Sequence, residues 1–113
     1  MHKGEKAIRD FLLEVKGALS HPSRVQFIPT EKNRLALAEN GLTVADIFNL
    51  IKRLEPRDHY AGPENDRDGT PGMVMTFLHP DSGMLLYIKL KLYEVNGAIY
   101  LTILSFHEEG QHG

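Results

Sequence analysis

Apolar residues in the first half of the chain recur at the spacing of helices. One series lies on a single helix face over residues 5–19. Its members are Ile8, Phe11, Leu12, Val15 and Leu19. A second, shorter helix is predicted after Thr30, whose hydroxyl can cap it, and it ends near Gly41. Thr43 and Asp46 form a capping-box pattern in front of a third apolar series, which predicts a third helix.

The second half of the chain shows the two-residue alternation of β-strands instead. Three runs have this pattern, at 73–79, 84–95 and 98–107, and short sequences rich in Gly, Asn and Pro separate them. Such short turns join neighbouring strands into an antiparallel meander. The run "VQFI" at 25–28 is a further, short strand candidate.

Residues 55–72 lie between the two halves and follow neither period. They hold three prolines and three glycines, which predicts a long loop, and loops of this length in small domains are often functional. We therefore predict one α+β domain over residues 1–113. Its helices lie between about residues 5 and 54 and pack on one face of an antiparallel sheet at 73–107.

The run "LYIKLKLY" at 86–93 raises the question of function. One parity can cover a core and consists of Leu86, Ile88, Leu90 and Leu92. The other parity consists of Tyr87, Lys89, Lys91 and Tyr93. This second face is either a solvated sheet surface or an RNA-binding surface, since lysines neutralise phosphate and tyrosines stack on bases. His107, at the end of the last strand, would add a group that exchanges protons near neutral pH.

Whether His107 joins this polar face depends on the register of the last hairpin. A two-residue turn at Asn96-Gly97 would put His107 on the side of the leucines. A three-residue turn with a bulge at Gly97 would instead put Ser105 and His107 on the face of Lys89. The last strand is apolar on both parities, so its pattern does not decide between the two registers.

Composition removes several classes of protein. The 113 residues carry 13 basic and 15 acidic side chains, and a net charge of -2 means that any recognition of phosphate must be local. There is no cysteine, hence no disulfide and no thiol nucleophile. The six histidines lack zinc-site spacing, and the acidic run "ENDRDG" is followed by Met75 where a calcium loop needs glutamate. No metal, no cofactor and no membrane segment are expected, and the predicted location is the cytoplasm.

Several segments, taken in order, resemble the MqsR-like toxins (motility quorum-sensing regulator) of the RelE/ParE superfamily. They are "KNRLALAENGLTVADIFNLIKRL", "DHYAGPENDRDG", "YIKLKL" and "SFH", and the resemblance extends from about Glu5 to Glu109. It implies a RelE-like fold and the toxin of a type II toxin-antitoxin system. Such a toxin is a metal-independent endoribonuclease, an mRNA interferase that uses the 2′-hydroxyl of its RNA as nucleophile. A cognate antitoxin protein holds it inactive.

The resemblance also implies roles for individual residues. The implied catalytic residues are Tyr60, Tyr87, Lys89 and His107. Lys89 would stabilise the charged phosphorane, His107 would act as general acid or base, and the tyrosines would position the RNA or exchange protons with it. The polar pattern of the same strands, rather than the resemblance, predicts the substrate-binding residues Lys91, Tyr93 and Ser105.

The chain departs from the family pattern at two positions. Ala61 follows Tyr60 where relatives can carry a catalytic lysine, and the strand at 73–79 has no counterpart of an active-site glutamine. The alternative function is therefore a non-catalytic RelE-like binding module, which docks a protein partner such as the antitoxin through its sheet face.

Overall fold

The computed structural model describes residues 3–109 and confirms the α+β class. The α-helices are α1 (Lys3–Leu19), α2 (Glu31–Asn40) and α3 (Val44–Lys52). Short 3₁₀ helices occur at Pro22–Arg24 and Pro56–Asp58. The strands are β1 (Val25–Phe27), β2 (His59–Glu64), β3 (Met73–Asp81), β4 (Met84–Val95) and β5 (Ala98–Glu108). They form one sheet in the order β1-β5-β4-β3-β2, so the hairpin of the last two strands in the chain lies in its interior.

The helix boundaries are those that the capping residues predict. The Thr30 hydroxyl accepts a hydrogen bond from the backbone N–H of Asn33 at 3.1 Å and begins α2, and Gly41 ends it at a left-handed φ of 63°. Thr43 and Asp46 form the predicted reciprocal capping box, with bonds of 2.8 and 3.1 Å, at the start of α3.

The sheet is mixed, because one of its strands runs parallel to its neighbour. Strands β3 to β5 form the predicted antiparallel meander, and β2 extends it with a further antiparallel pair, but Val25 of β1 lies opposite Leu101 of β5 in a parallel pair. The connection from β1 to β5 includes two helices and three strands, and a connection of this length permits parallel pairing. The predicted antiparallel sheet over 73–107 is confirmed, and β1, whose pairing the sequence left open, adds a parallel strand to it.

The predicted loop at 55–72 is shorter in the structure. Its first part forms a 3₁₀ turn and then β2, which pairs with β3, so only residues 65–72 remain a loop. The sequence pattern did not predict β2, because Pro63 interrupts the strand and the pairing of β2 with β3 is irregular at two places. Proline is tolerated here because β2 is an edge strand of the sheet.

The helices cover one face of the sheet, which we call the core face. Helix α1 lies against the strands through Phe11, whose ring centroid is 6.1 Å from that of Phe77 on β3. The four apolar residues of "LYIKLKLY" are buried in this core as predicted: Leu86, Ile88, Leu90 and Leu92. The opposite side, which carries the alternate residues of β4, is called the open face.

Candidate functional site on the open face

The hairpin between β4 and β5 has a tight turn. Val95 lies opposite Ala98, so Asn96 and Gly97 alone make the turn. Both have positive φ, 50° and 83°, as the two central residues of a type I′ turn require. Of the two registers left open by the sequence, the turn is therefore the two-residue one, and the alternative with a bulge at Gly97 is wrong.

A bulge nevertheless changes the register further along β5. Lys89 pairs with Ser105, whereas the next residue, Leu90, pairs with Ile103, so Leu104 is an extra residue in β5. Such a bulge reverses the parity of every residue that follows it. Some residues at the end of β5 therefore lie on the open face. In a two-residue hairpin without this bulge, the same residues would face the core.

Asn33 of α2 binds the backbone on both sides of this bulge. Its side-chain amide donates to the carbonyl of Leu104 at 3.0 Å, and its side-chain oxygen accepts from the N–H of Phe106 at 3.1 Å. The amide also donates to the carbonyl of Ile28, just after β1, at 2.9 Å. Asn33 is 1% exposed. Beyond the end of β1, its side chain makes the hydrogen bonds to β5 that a longer β1 strand would otherwise make. No sequence pattern indicated this role.

Tyr87 and His107 meet on the open face. They are cross-strand partners, and their rings stack with centroids 5.0 Å apart and planes 14° apart. The Nδ1 atom of His107 lies 3.0 Å from the backbone oxygen of Glu108, and a carbonyl can only accept, so Nδ1 carries a proton. In the neutral ring Nε2 is then the unprotonated nitrogen, which can take up a proton. The structure thus brings together two of the predicted catalytic residues.

Lys89 lies in the next row of the open face. A line of cross-strand neighbours runs over four strands, and its members are Ala61, Thr76, Lys89 and Ser105. Lys89 is partly exposed and forms no ion pair with any residue between 3 and 109. Thr76, 3% exposed, is a hydroxyl-bearing neighbour that sequence reasoning missed, because the residues around it in β3 are apolar. The row places a cation and two hydroxyl groups beside the Tyr87–His107 stack.

Lys91 is held by the loop at 65–72 instead. Its ammonium nitrogen is 2.8 Å from the Asp66 carboxylate and also donates to the Thr70 hydroxyl, and the residue is 7% exposed. Gly72 allows the loop to pass close to Lys91, because a Cβ atom at this position would lie 2.8 Å from Cε of Lys91. A lysine paired in this way offers little charge to a substrate, which argues against the predicted substrate-binding role of Lys91.

Tyr93 belongs to the same end of the sheet as Lys91. Its ring stacks on Tyr100 with centroids 5.6 Å apart, and the Lys91 ammonium lies 6.0 Å from its centroid. Beside them is a cleft of about 440 Å³, and its lining includes the acidic residues Asp66 and Asp68. These carboxylates repel phosphate, so the part of the open face that suits RNA is the end with Lys89 and His107.

Tyr60 stands apart from the other predicted catalytic residues. It lies on β2 at an irregular position, 63% exposed, and β3 separates it from β4. Two strand spacings amount to about 10 Å. Within residues 3–109 no hydrogen bond or ring contact joins Tyr60 to Tyr87 or His107. The sequence signal for Tyr60 came from the resemblance alone, and the structure does not bring it into contact with the site.

The loop carboxylates should respond to acid in a defined way. The hydrogen bond from Lys91 lowers the pKa of Asp66 below its ordinary value, and the Thr70 hydroxyl lowers that of Asp68. A lowered pKa in the folded state stabilises the loop above the unfolded pKa of about 4, and this stabilisation is lost as the pH falls through the folded value. We expect residues 65–72 to stay anchored at pH 5 and to loosen below about pH 4.

Amide chemical shifts of the loop, recorded against pH, measure this release. Lys91→Met is the matched variant, because it removes the ammonium but keeps much of the side-chain length, and the pKa of Asp66 should then rise. An Asp66 carboxylate that titrates identically in both proteins would contradict the pairing.

Further observations on the described residues concern metal binding, membrane helices and similarity to known proteins. Within residues 3–109 there is no group of three or more His, Asp or Glu side chains that could hold a metal ion. The helices of this range are too short or too polar to cross a membrane. No known protein family, curated protein or solved structure matches the chain.

Proposed function

We propose that this protein is a metal-independent endoribonuclease that acts in the cytoplasm as the toxin of a type II toxin-antitoxin system. The observation that carries the proposal is the ammonium of Lys89, which forms no ion pair within residues 3–109, next to the stacked pair of Tyr87 and His107 on the open face. A cation beside a proton acceptor is the minimum that RNA cleavage by its own 2′-hydroxyl requires. The resemblance to the MqsR-like toxins, in the same residues, supports the proposal.

In the proposed reaction His107 accepts the proton of the RNA 2′-hydroxyl through Nε2. The 2′-oxygen then forms a bond to the adjacent phosphorus, the bond from phosphorus to the 5′-oxygen breaks, and that oxygen leaves with a proton from the protonated imidazole or from Tyr87. Lys89 stabilises the extra negative charge of the phosphorane between these steps. The products are a 2′,3′-cyclic phosphate and a 5′-hydroxyl end.

The neighbours of Lys89 agree with this assignment. Ala61 lies in the same row two strands away, at the position where the resemblance places a second lysine. The proposed site therefore has one cation where a relative has two, and Lys89 carries the electrostatic stabilisation alone. Ser105, which is partly exposed beside Lys89, can donate a hydrogen bond to the same phosphate, while Thr76 on the other side is buried.

The direct test is cleavage of RNA by the purified protein in the presence of EDTA. We expect products that end in a cyclic phosphate, and we expect the double variant Lys89→Ala/His107→Ala to yield none above background. Equal cleavage by wild type and double variant would show that the activity comes from elsewhere. Absence of cleavage by the wild type, in a preparation shown to be folded, would remove the enzyme function.

A second function is favoured by one observation, the low exposure of His107. At 8% exposed, with one ring face covered by Tyr87, it has little surface to offer a substrate. In this alternative the open face docks a protein partner, the antitoxin, and cleaves nothing. Binding of a purified antitoxin to a protein that leaves RNA intact would establish the alternative.

A further inference from the structure

A second cleft lies on the other side of the sheet, away from the proposed catalytic group. It has a volume of about 500 Å³ and lies between α1 and the end of the sheet at the β4–β5 turn. Apolar side chains form its floor: Ala7, Phe11, Met73, Leu92 and Ile99. Met73 is 46% exposed, which is a large exposed fraction for an apolar residue beside a core.

The rim of this cleft is acidic. Asp10 and Glu14 of α1 and Glu94 of β4 line it, and no lysine or arginine does. Within residues 3–109 Glu14 and Glu94 form no ion pair, while Asp10 contacts Lys6 at 2.9 Å. The ion pair between Lys6 and Asp10 would compete only weakly with a basic ligand for the Asp10 carboxylate, because its two side chains are 79% and 56% exposed. The cleft thus combines an apolar floor with available negative charge.

We propose that this cleft binds a basic amphipathic segment of a protein partner. Apolar side chains of the segment would cover Phe11 and Met73, and its lysines or arginines would meet the rim carboxylates. Asp10 and Glu14 are one helical turn apart, so they match basic residues spaced by one turn on a helical segment. Nucleic acid is excluded as the occupant, because three carboxylates repel phosphate.

This inference does not depend on RNA cleavage. The cleft and the Tyr87–His107 stack lie on opposite faces of the sheet, so a segment seated in the cleft leaves the open face accessible. A second copy of the chain is the competing occupant, since α1 also presents Arg9 and Lys16 beside Leu13, which is 66% exposed. The experiment must distinguish these occupants.

The test uses the full-length protein labelled for NMR and two synthetic peptides. One peptide is an amphipathic helix with leucines on one face and lysines on the other, and its control has glutamates in place of the lysines. We expect the lysine peptide to shift the signals of Ala7, Phe11, Met73 and Ile99 but not that of His107. The glutamate peptide should shift none of these signals.

Charge variants then separate a specific cleft from bulk attraction. Glu14→Lys/Glu94→Lys should weaken binding of the lysine peptide about tenfold. The matched control, Glu31→Lys/Glu39→Lys, makes the same change in net charge at exposed residues of α2 and should change the affinity less than about twofold. Backbone amide spectra confirm that both variants are folded.

Two outcomes would overturn the proposal. An equal loss of affinity in both variants, or shifts spread over the whole surface, would mean that the peptide is held by net charge alone. Shifts at the same cleft residues that appear without peptide as the protein concentration rises would assign the cleft to a second copy.

Discussion

Replacing Asn33 with alanine is expected to lower the free energy of unfolding by about 3 kcal/mol or more. The carboxamide serves three backbone groups, the carbonyls of Ile28 and Leu104 and the N–H of Phe106, at 2.9 to 3.1 Å. Asn33 is 1% exposed, so these groups would be left in the interior without a partner. Each unpaired buried group costs about 1–3 kcal/mol, and a domain of this size has only about 5–15 kcal/mol in total.

Urea unfolding of the two proteins measures this difference, and Asn40→Ala is the matched control. Asn40 lies in the same helix, and its side chain makes one hydrogen bond, to the carbonyl of Ala36 at 2.8 Å. Its loss should cost less than about 1 kcal/mol, because only one bond is removed and the site is not fully buried. Similar losses in both variants would show that the Asn33 bonds to β5 contribute nothing beyond a local helix contact.

The second large effect is expected at Lys89. If Lys89 stabilises the phosphorane, Lys89→Ala should slow RNA cleavage by a factor of about 10²–10³, as the loss of one electrostatic donor does in comparable sites. Lys91→Ala should slow it less than about tenfold, because the Lys91 ammonium is already neutralised by Asp66 at 2.8 Å. The two lysines are two residues apart and lie on the same strand face, so each serves as the control for the other.

Single-turnover rates in EDTA, with protein in excess over RNA, separate these effects from binding. Thermal unfolding of each variant checks that the fold is retained. Equal losses for Lys89→Ala and Lys91→Ala would mean that RNA displaces the loop from Lys91 and that both cations face the phosphate. Unchanged rates in both would remove the electrostatic role from this strand.

Local signals made much of the fold predictable. Thr30, Thr43 and Gly41 stand where the helices begin or end, because capping depends on a few neighbouring residues. The alternation in β4 likewise gave the buried face correctly. Strand β2 was missed because it is held by its edge pairing with β3 and not by an alternating pattern of its own.

The candidate site was less predictable because it depends on contacts between distant residues. The position of His107 follows from a bulge at Leu104, which the sequence of β5 does not indicate, since that strand is apolar on both parities. Of the two registers left open by the sequence, the bulged one put His107 on the correct face, but the structure has the bulge at Leu104 and not at Gly97. The pairing of Lys91 with Asp66 was equally hidden, because 25 residues separate the two.

The bond between α2 and the bulge has a consequence for the order of folding. Asn33 and its partners on β5 are 71 and 73 positions apart in the chain, and contacts over such separations form late because closing the intervening loop is entropically costly. The β4–β5 hairpin, with its two-residue turn, can form earlier and is then free to pair without the bulge. In that register His107 would lie with the leucines, so a chain whose helix α2 has not docked, or has opened locally, would hold the hairpin without His107 on the open face.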